Sequence, residues 1–258
     1  MAILKKILNV FIGLTILVII WEMIILTGKY EEALFPSPLK VCKGIIHLLQ
    51  DGTLFAHLQV SLLRFVIGYC AAVAAGIILG LIFGWATRLW NIIDPIVQVL
   101  RPVSPIAWSP FIVLWFGIGD IPAIVIIFIA AFFPVLLSTV SAVRKVDRTY
   151  LKVAANFEMK QPFLLTKIIF PASFPFIANS LHIALGTAWI FLVAGEMVGA
   201  QSGLGYMIVD ARNSLRLDLV LAGIISIGLS GLILDRGIQQ VEKWIGKQWG
   251  MSPEENRK

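Results

Sequence analysis

The sequence predicts an all-α integral membrane protein whose helices cross the bilayer six times. Hydrophobic residues make up 59% of the chain and charged residues 14%, whereas soluble domains carry about a quarter charged residues. The mean hydropathy of +0.90 fits a chain that lies mostly in lipid. Because about 20 apolar residues cross the hydrocarbon core, six spans use most of the length. We therefore predict a single transmembrane domain over residues 1–258, without a soluble catalytic domain.

The spans are assigned from long apolar runs and from the residues that interrupt them. The first run follows a basic start and lacks a small-residue cleavage site, so we expect a retained span rather than a signal peptide. Pro102 and Pro105 break the third span, because proline ends or kinks a helix. The predicted spans are residues 7–26, 58–85, 89–117 with a break at 101–105, 121–143, 176–198 and 217–234.

A short amphipathic helix is predicted between the first two spans, near Leu39–Leu49. Ser37 is placed to cap this helix. Pro38 would occupy its first helical position, where proline is favoured.

The second span carries a face of small residues that includes the GxxxG pair Gly76 and Gly80. Such faces let two helices pack closely. The pattern leaves open whether the partner helix belongs to the same chain or to a second copy.

Lysine and arginine are unequally divided between the two sides of the predicted membrane. With a cytoplasmic N-terminus, about 14 of them fall in cytoplasmic segments and about five on the other side. Cytoplasmic loops carry the excess of positive charge in membrane proteins. We therefore expect a multi-pass membrane protein with both termini in the cytoplasm.

The sequence carries no nucleotide-binding or metal-binding motif. A phosphate loop of the form GxxxxGKS or GxxxxGKT does not occur, and Cys42 and Cys70 lack metal-ligand spacing. The three histidines, His47, His57 and His182, are far apart and are expected to be structural. We therefore predict neither a catalytic site nor a cofactor in this chain, so a partner must supply any energy.

Residues 144–170 form a long basic segment between the fourth and fifth spans, just before Pro171. Two interpretations fit its charge. It is either a solvated cytoplasmic loop that follows the positive-inside bias, or a docking element for a cytoplasmic partner.

Four ionisable residues lie within or near the ends of the predicted spans, namely Glu22, Arg64, Arg101 and Glu196. Charged groups in a bilayer are costly and are functional candidates by default. The alternatives are an internal ion pair and snorkelling to the headgroups. Both alternatives stay open for each of the four.

The break in the third span is a candidate substrate pathway. Non-helical backbone at membrane depth is tolerated only where it is buried in protein or lines a water cavity. The polar and aromatic groups available are Arg101, Ser104, Trp108 and Ser109, with Glu196 as a fifth pathway candidate. A small oxyanion would be complemented by Arg101, whereas a neutral heterocycle would use stacking on Trp108.

The segment from Gln201 to Asp210 carries Gly203 and Gly205 on either side of Leu204. Glycine lets the backbone turn tightly and approach a neighbour closely. An ordinary interhelical turn would have the same composition.

Six short motifs spread over nearly the whole chain occur together. They are Phe35-Pro36-Ser37-Pro38, Ser61-Leu62-Leu63-Arg64 with Gly68, Leu100-Arg101-Pro102-Val103-Ser104-Pro105-Ile106-Ala107-Trp108, Leu114-Trp115-Phe116-Gly117-Ile118-Gly119, Gly195-Glu196-Met197 and Ser202-Gly203-Leu204-Gly205. The combination resembles the membrane subunits of ATP-binding-cassette importers, in particular the binding-protein-dependent permeases of the nitrate/sulfonate/taurine type.

The resemblance implies a type I importer permease fold that works as a homodimer. Two ATP-hydrolysing subunits, which bind the ATP and Mg, would dock on the cytoplasmic loops, and an external solute-binding protein would deliver the substrate. The implied substrate is a small anion of the nitrate, bicarbonate, sulfonate or taurine class. Gly203, Leu204 and Gly205 would lie at the outer gate.

The resemblance also gives the basic segment a short coupling helix that docks in a groove on the ATPase. Aromatic anchors often dominate interface energetics, so Tyr150 and Phe157 are the strongest candidates. The coupling residues that it implies are Tyr150, Leu151, Lys152, Ala154, Ala155, Phe157 and Glu158.

The hallmark of this coupling loop is degenerate in this sequence. Counting back from Pro171 places Lys152 where the family has Glu, and Glu158 where it has Gly, while Ala154 keeps an alanine position. Glycine permits a backbone shape that Glu disfavours, so the geometry of the turn is in question.

Other functions remain open at the level of sequence. An ion-gradient-driven secondary transporter would need a buried carboxylate relay, for which Glu196 is the candidate, but no inverted repeat is evident. The substrate could also be neutral, such as a thiamine-precursor pyrimidine. A membrane enzyme is disfavoured by the lack of a converging catalytic set, and a scaffold would bind partners without transport.

Overall fold

A computed structural model describes residues 2–28 and 34–248 of the chain, which are helical throughout apart from short connections. The all-α prediction is confirmed. The helices, with their bounds, are α1 Ala2–Leu26, α2 Pro38–Gln50, α3 Thr53–Trp85, α4 Thr87–Leu100, a 3-10 helix Pro105–Trp108, α5 Ser109–Phe116, α6 Asp120–Arg144, α7 Arg148–Asn156, α8 Gln161–Leu164, a π-helix Leu165–Ile169, α9 Phe170–Gly199, α10 Leu204–Asn213 and α11 Leu217–Gln248.

Helices α3, α6 and α9 form the centre of the bundle, and glycines on α3 let α6 approach. A Cβ atom at Gly80 would lie 2.5 Å from Cβ of Thr139, and one at Gly68 would lie 2.8 Å from the carbonyl oxygen of Ile124. Real Cβ atoms do not approach so closely, so these positions exclude any larger residue. The small-residue face predicted from the sequence therefore packs within the chain.

The third predicted span is broken, and the two parts meet at an angle of 86°. Helix α4 ends at Leu100, and residues 101–104 link it to the 3-10 helix that begins at Pro105. Pro102 and Pro105 have no N–H to continue the hydrogen-bond ladder. The second part, which ends at Phe116, packs against α6 and α9.

The basic segment is largely helical and leads into α9 without a gap. A π-helix from Leu165 to Ile169 directly precedes α9, which begins at Phe170 and contains Pro171 and Pro175. A proline ring clashes with the carbonyl four residues earlier in a regular helix. The wider π-turn lies where that clash would occur, so the helix can include the prolines. Helix α9 therefore begins at Phe170, whereas the sequence predicts a start at residue 176.

Helix α11 continues to Gln248, well beyond the predicted end of the span at residue 234. The residues that follow Leu234 are mostly Gln, Glu, Lys and Ile, which are compatible with a helix, and proline does not interrupt them. Residues 235–248 thus extend the last helix.

Four helices of the described residues are long and apolar enough to cross a membrane, and the bent pair makes a fifth candidate. In α1 the apolar part is the shorter stretch Phe11–Leu26. The count of six spans stays a prediction.

The bundle has two ends. We call the end that carries α7, α8 and the π-helix the loop end. The opposite end, where α3, α6 and α11 begin and α9 finishes, is the distal end. There α10 is a short helix that contacts α9 and α11, and Leu204 at its start is fully buried.

Candidate functional site

Five polar side chains meet at the distal end in what we call the Arg64 cluster. Its members are Arg64 and Ser61 of α3, Asp120 at the start of α6, Glu196 near the end of α9 and Ser202 of the segment before α10. Arg64 is 2% exposed and Glu196 is 1% exposed. A pair of full charges at this depth is tolerated only when both are closely partnered.

The guanidinium of Arg64 ties together three parts of the chain. Its Nη1 donates to Oε1 of Glu196 at 2.8 Å and to the carbonyl oxygen of Ser202 at 2.7 Å. Its Nε donates to Oδ1 of Asp120 at 2.8 Å, and Nη2 donates to the same oxygen and to the hydroxyl of Ser202. Because the guanidinium is planar and rigid, these contacts fix α3 relative to α6 and α9.

The carboxylate of Glu196 binds the amino end of α10. This carboxylate accepts from the hydroxyl of Ser61 at 2.8 and 3.0 Å and from the N–H of Gly205 at 2.9 Å. Ser61 Oγ in turn accepts the N–H of Leu204 at 2.8 Å. A carboxylate at the amino end of a helix satisfies N–H groups that otherwise lack partners and complements the helix dipole. Glu196 therefore acts as an internal cap for α10.

His57 completes this arrangement, since its Nδ1 accepts the N–H of Gly203 at 3.0 Å. Three successive N–H groups, those of residues 203, 204 and 205, are thus bound by side chains of α3 and α9. The sequence indicates only a structural role for His57. The contact agrees with that role and gives it a specific acceptor function.

Gly203 and Gly205 cannot be larger in this arrangement. A Cβ atom at Gly203 would lie 2.2 Å from Oε1 of Glu196, and its φ of +101° suits glycine. At Gly205 a Cβ atom would lie 2.4 Å from the carbonyl oxygen of Val193. The glycines predicted for the outer gate therefore allow the close approach of this segment to the Arg64 cluster.

The break in the third span borders an open cleft of about 560 Å³ between that break, α6 and α9. Arg101 and Ser104 line it, together with apolar residues that include Phe133 and Phe191. Trp108 and Ser109 do not line this cleft; Trp108 is half-buried and Ser109 is buried. Glu196 lies in the Arg64 cluster. Its ion pair with Arg64 is the internal pairing that the sequence leaves open as an alternative to snorkelling.

At the loop end, α7 packs one face against its own chain and exposes the other. Ala154 is 2% exposed and forms a cluster with Val143, Leu164 and Ile169, against which the half-buried Leu151 packs. The sequence predicts Leu151 and Ala154 as partner contacts, but burial in this cluster turns them inward. Lys152 is exposed, and the side chain of Ala155 lies outside the described residues.

The exposed apolar stripe of α7 consists of Tyr150, Val153 and Phe157, the last lying directly after the end of the helix; they are 56%, 46% and 76% exposed. Their spacing of three and four residues places them on one side of the helix. Val153 was not singled out from the sequence, although the same spacing points to it. Tyr150 and Val153 also line a groove of about 390 Å³ whose other wall is formed by Lys167 and the first turn of α9.

Asp147 begins α7 in the manner of an N-cap. Its carboxylate accepts from both the N–H and the hydroxyl of Thr149, each at 2.8 Å. Both bonds hold the pKa of Asp147 below its usual value, and the bond from the backbone N–H has the larger effect.

Glu158 has a left-handed backbone, with φ of +49°. The N–H of Met159 bonds to the carbonyl oxygen of Ala154 at 3.2 Å across the end of α7. This bond from the residue after a left-handed one to the last full turn is the Schellman arrangement, which usually has glycine at the left-handed position. The turn thus has the left-handed shape that glycine usually provides at the end of a helix.

Sequence reasoning identified Arg64 and Glu196 as unusual but did not pair them with each other. Asp120 was missed, although an acidic residue directly after two glycines and at the start of an apolar helix is a recognisable signal. Ser202 was noted only as part of a motif. These residues are far apart along the chain, so only their positions in the fold bring them together.

Removal of the Glu196 carboxylate should destabilise the protein strongly. We expect Glu196→Ala to lower the free energy of unfolding by about 3–5 kcal/mol, because it leaves a buried guanidinium without its charged partner. The matched control is Asp218→Ala, whose ion pair with Arg216 has the similar length of 2.9 Å but is partly exposed. That change should lower the free energy by no more than about 1 kcal/mol. Thermal unfolding in detergent measures both, and equal melting temperatures for the two variants would contradict the assignment.

Glycine at position 158 should stabilise the end of α7. Glu158→Gly removes the steric strain of a left-handed residue, which is about 1 kcal/mol, so the amide of Met159 should exchange its hydrogen several-fold more slowly. Glu158→Val should have the opposite effect, because a branched side chain tolerates that backbone poorly. Hydrogen exchange followed by mass spectrometry tests the pair, with Lys160→Gly as the control, and faster exchange in Glu158→Gly would disprove the interpretation.

The chain has relatives among known proteins. Residues 72–247 match the family described as the binding-protein-dependent transport system inner membrane component. The chain is 33% identical over 235 residues to the taurine transport system permease protein TauC of Escherichia coli (strain K12), covering 89% of this chain and 86% of that protein. It is 30% identical over 249 residues to the nitrate import permease protein NrtB of Synechocystis sp., covering 93% and 90%.

Among solved structures, a chain of the MetNI methionine ABC transporter in an inward-facing conformation superposes with a TM-score of 0.54. The sequence identity is 17%, and the match covers 76% of this chain and 97% of that chain. This similarity confirms the importer permease fold. With the matches in sequence, it leads to one conclusion: the chain belongs to the family of inner membrane components of binding-protein-dependent transport systems.

Proposed function

We propose that this chain is the permease subunit of an ABC importer that carries a small oxyanion across the bacterial inner membrane. ATP hydrolysis on two partner subunits drives the transport, and an external solute-binding protein delivers the substrate. The observation that carries the proposal is the exposed apolar stripe of α7, Tyr150, Val153 and Phe157, on a helix whose other face is fixed to its own chain. A solvated loop has no reason to present two aromatic rings to water.

The position of α7 suits it to transmit movement. It follows α6 after three residues, and α8 and the π-helix connect it to α9. Val143 of α6 and Ile169, directly before α9, belong to the same buried cluster as Ala154. A displacement of α7 by an ATPase subunit therefore moves α6 and α9 together, as packed helices do not deform continuously.

The far ends of the same two helices reach the Arg64 cluster. Asp120 begins α6 and Glu196 lies in the last turn of α9, and both bond to Arg64 of α3. Movement that starts at the loop end thus arrives at the segment with Gly203, Leu204 and Gly205. In this proposal the loop end faces the cytoplasm and the distal end forms the outer gate.

The energy source lies outside this chain, because its sequence contains no phosphate-binding loop. ATP and Mg bind to the partner subunits. A second copy of the permease completes the pathway, which is open along the cleft beside the broken span.

The cleft favours an anionic substrate. Arg101 and Ser104 line it, whereas Trp108, the residue that would stack on a neutral heterocycle, does not. An arginine binds planar oxyanions with two parallel hydrogen bonds. The relatives named for taurine and nitrate transport agree with a sulfonate or nitrate-like substrate.

The secondary-transporter alternative is not favoured. It requires a carboxylate that can bind and release a proton along the pathway. Glu196 was the candidate, but its side chain is fully buried and bonded to Arg64, Ser61 and the N–H of Gly205.

Removal of the aromatic anchors on α7 should abolish binding of the ATPase. Hot-spot residues each contribute at least about 2 kcal/mol, so Phe157→Ala combined with Tyr150→Ala should weaken the complex more than about 100-fold. Affinity purification of the tagged chain from its native membrane, with mass spectrometry of accompanying proteins, measures the loss. The control is Phe55→Ala at the distal end, which removes an aromatic ring of similar exposure, 68%. A wild-type chain that purifies without any ATPase would contradict the proposal.

The substrate charge is tested separately at Arg101. Arg101→Ala should lower uptake of the oxyanion at least about tenfold, because a charge-assisted hydrogen bond contributes about 1.5–3 kcal/mol. Arg101→Lys should retain part of the activity. Arg88→Ala, which removes an exposed arginine at the start of α4, serves as the control. Uptake that survives Arg101→Ala unchanged would exclude charge complementarity at this residue without affecting the ATPase test.

A further inference from the structure

Helix α2 at the distal end divides its surface into three stripes along its length. Residues Val41, Gly44 and Leu48 are buried, residues Leu39, Cys42, Ile46 and Leu49 are exposed and apolar, and residues Lys40, Lys43, His47 and Gln50 are polar. Each set follows the spacing of three and four residues that keeps side chains on one face of a helix. An ordinary amphipathic surface helix has only two such faces.

The buried stripe fixes α2 to the bundle. A Cβ atom at Gly44 would lie 3.2 Å from the side chain of Leu219 of α11, and Val41 and Leu48 belong to the main hydrophobic core. Ser37 caps α2, with its hydroxyl accepting the N–H of Lys40, and Pro38 takes the first helical position as predicted. The helix is therefore held in one rotational setting against α3 and α11.

This setting leaves a complete apolar stripe without a partner in the described chain. Leu39, Ile46 and Leu49 are 66%, 48% and 58% exposed, and Cys42 is exposed beside them. Three exposed aliphatic side chains in one stripe form an apolar patch, which indicates contact with lipid or with another protein.

The polar stripe runs beside the apolar stripe and is basic. It carries Lys40 and Lys43, while the charge of the helix-end residue Asp51 is directed to His47, 3.2 Å away. Lysine beside an exposed apolar stripe is the arrangement of helices that lie in a lipid–water interface, where the ammonium groups reach the headgroups.

We propose that α2 lies in the lipid–water interface at the distal end, with its apolar stripe among acyl chains and Lys43 on the phosphates of anionic lipid headgroups. The helix that carries the stripe is only about 20 Å long. One stripe along it offers less area than the roughly 800 Å² per partner that a stable protein interface buries. Exposed apolar side chains also occur just before and just after α2 in the chain, at Leu34 and Phe55.

Such an anchor has a consequence for transport. Because α2 is packed against α11 and α3, it holds these two helices at a fixed depth at the distal end. Because the Arg64 cluster ties α3 to α6 and α9, the distal ends of these helices stay at that depth while their loop ends move.

The two cysteines of the described chain provide the test. A spin label on Cys42 is prepared in a Cys70→Ser background, in the full chain reconstituted into phosphatidylcholine and phosphatidylglycerol vesicles. Its accessibility to oxygen, which enriches in acyl chains, is compared with its accessibility to a water-soluble nickel chelate. The label at Cys70, exposed on α3, is the lipid reference in a Cys42→Ser background, and Lys43→Cys and Gln50→Cys report the polar stripe.

We expect labels at Cys42 and at Ile46→Cys to be more accessible to oxygen, and labels at positions 43 and 50 to be more accessible to the nickel chelate. The ratio of the two accessibilities should therefore vary along α2 with the period of a helix. Equal ratios at positions 42 and 43 would overturn the proposal, because the stripe would then face water. Exclusion of both reagents from position 42 would also overturn it, since a protein partner or a second copy would then cover the stripe.

The role of the headgroup charge is measured with an environment-sensitive fluorophore on Cys42. Its emission should shift to the blue when phosphatidylglycerol is added to phosphatidylcholine vesicles. In Lys43→Gln about fivefold more anionic lipid should be needed, since one lysine contributes about this factor at a membrane surface. A response that is the same in both chains would overturn the assignment to anionic lipid.

Discussion

The buried ion pair between Arg64 and Glu196 is the interaction on which the arrangement of the helices depends. Neither charge is tolerated alone in a region without water, so each helix that carries one must stay in contact with the other. Asp120 extends the same interaction to α6. Helix α10 is then bound to it, because Glu196 accepts the N–H of Gly205. One electrostatic constraint therefore fixes the distal ends of α3, α6 and α9 and the start of α10.

The same three helices are held by packing of a different kind along the rest of their length. The glycines of α3 admit α6 at a distance that no larger residue allows, which makes dispersion contacts dense and the pair stiff. At the loop end the prolines of α9 are accommodated by a π-turn rather than by a break. These stiff helices have one end near the exposed stripe of α7 and the other at the Arg64 cluster. They are therefore suited to transmit a small displacement over the thickness of a membrane.

The turn after α7 shows that a motif and the geometry it encodes are separable. Glu158 stands where the resembling family has glycine, yet its backbone is left-handed and Met159 makes the same closing bond to Ala154. The burial of Ala154 in the cluster with Val143 and Ile169 holds the end of α7 in place. Tertiary packing thus imposes a backbone shape that the local sequence disfavours, and the strain is the measurable trace of that conflict.

The sequence alone predicts the fold class, the broken span, the tight turn at Gly203 and Gly205 and the short amphipathic helix. These features depend on hydropathy over about 20 residues and on proline and glycine at single positions, which are local properties of the chain. The family followed from motifs for the same reason. Packing of the helices in three dimensions pairs Arg64 with Glu196, turns Ala154 inward and leaves an apolar stripe of α2 uncovered. Arg64 and Glu196 are 132 positions apart, and side-chain pairing over such a separation depends on how the helices pack and not on any pattern that the neighbouring residues carry.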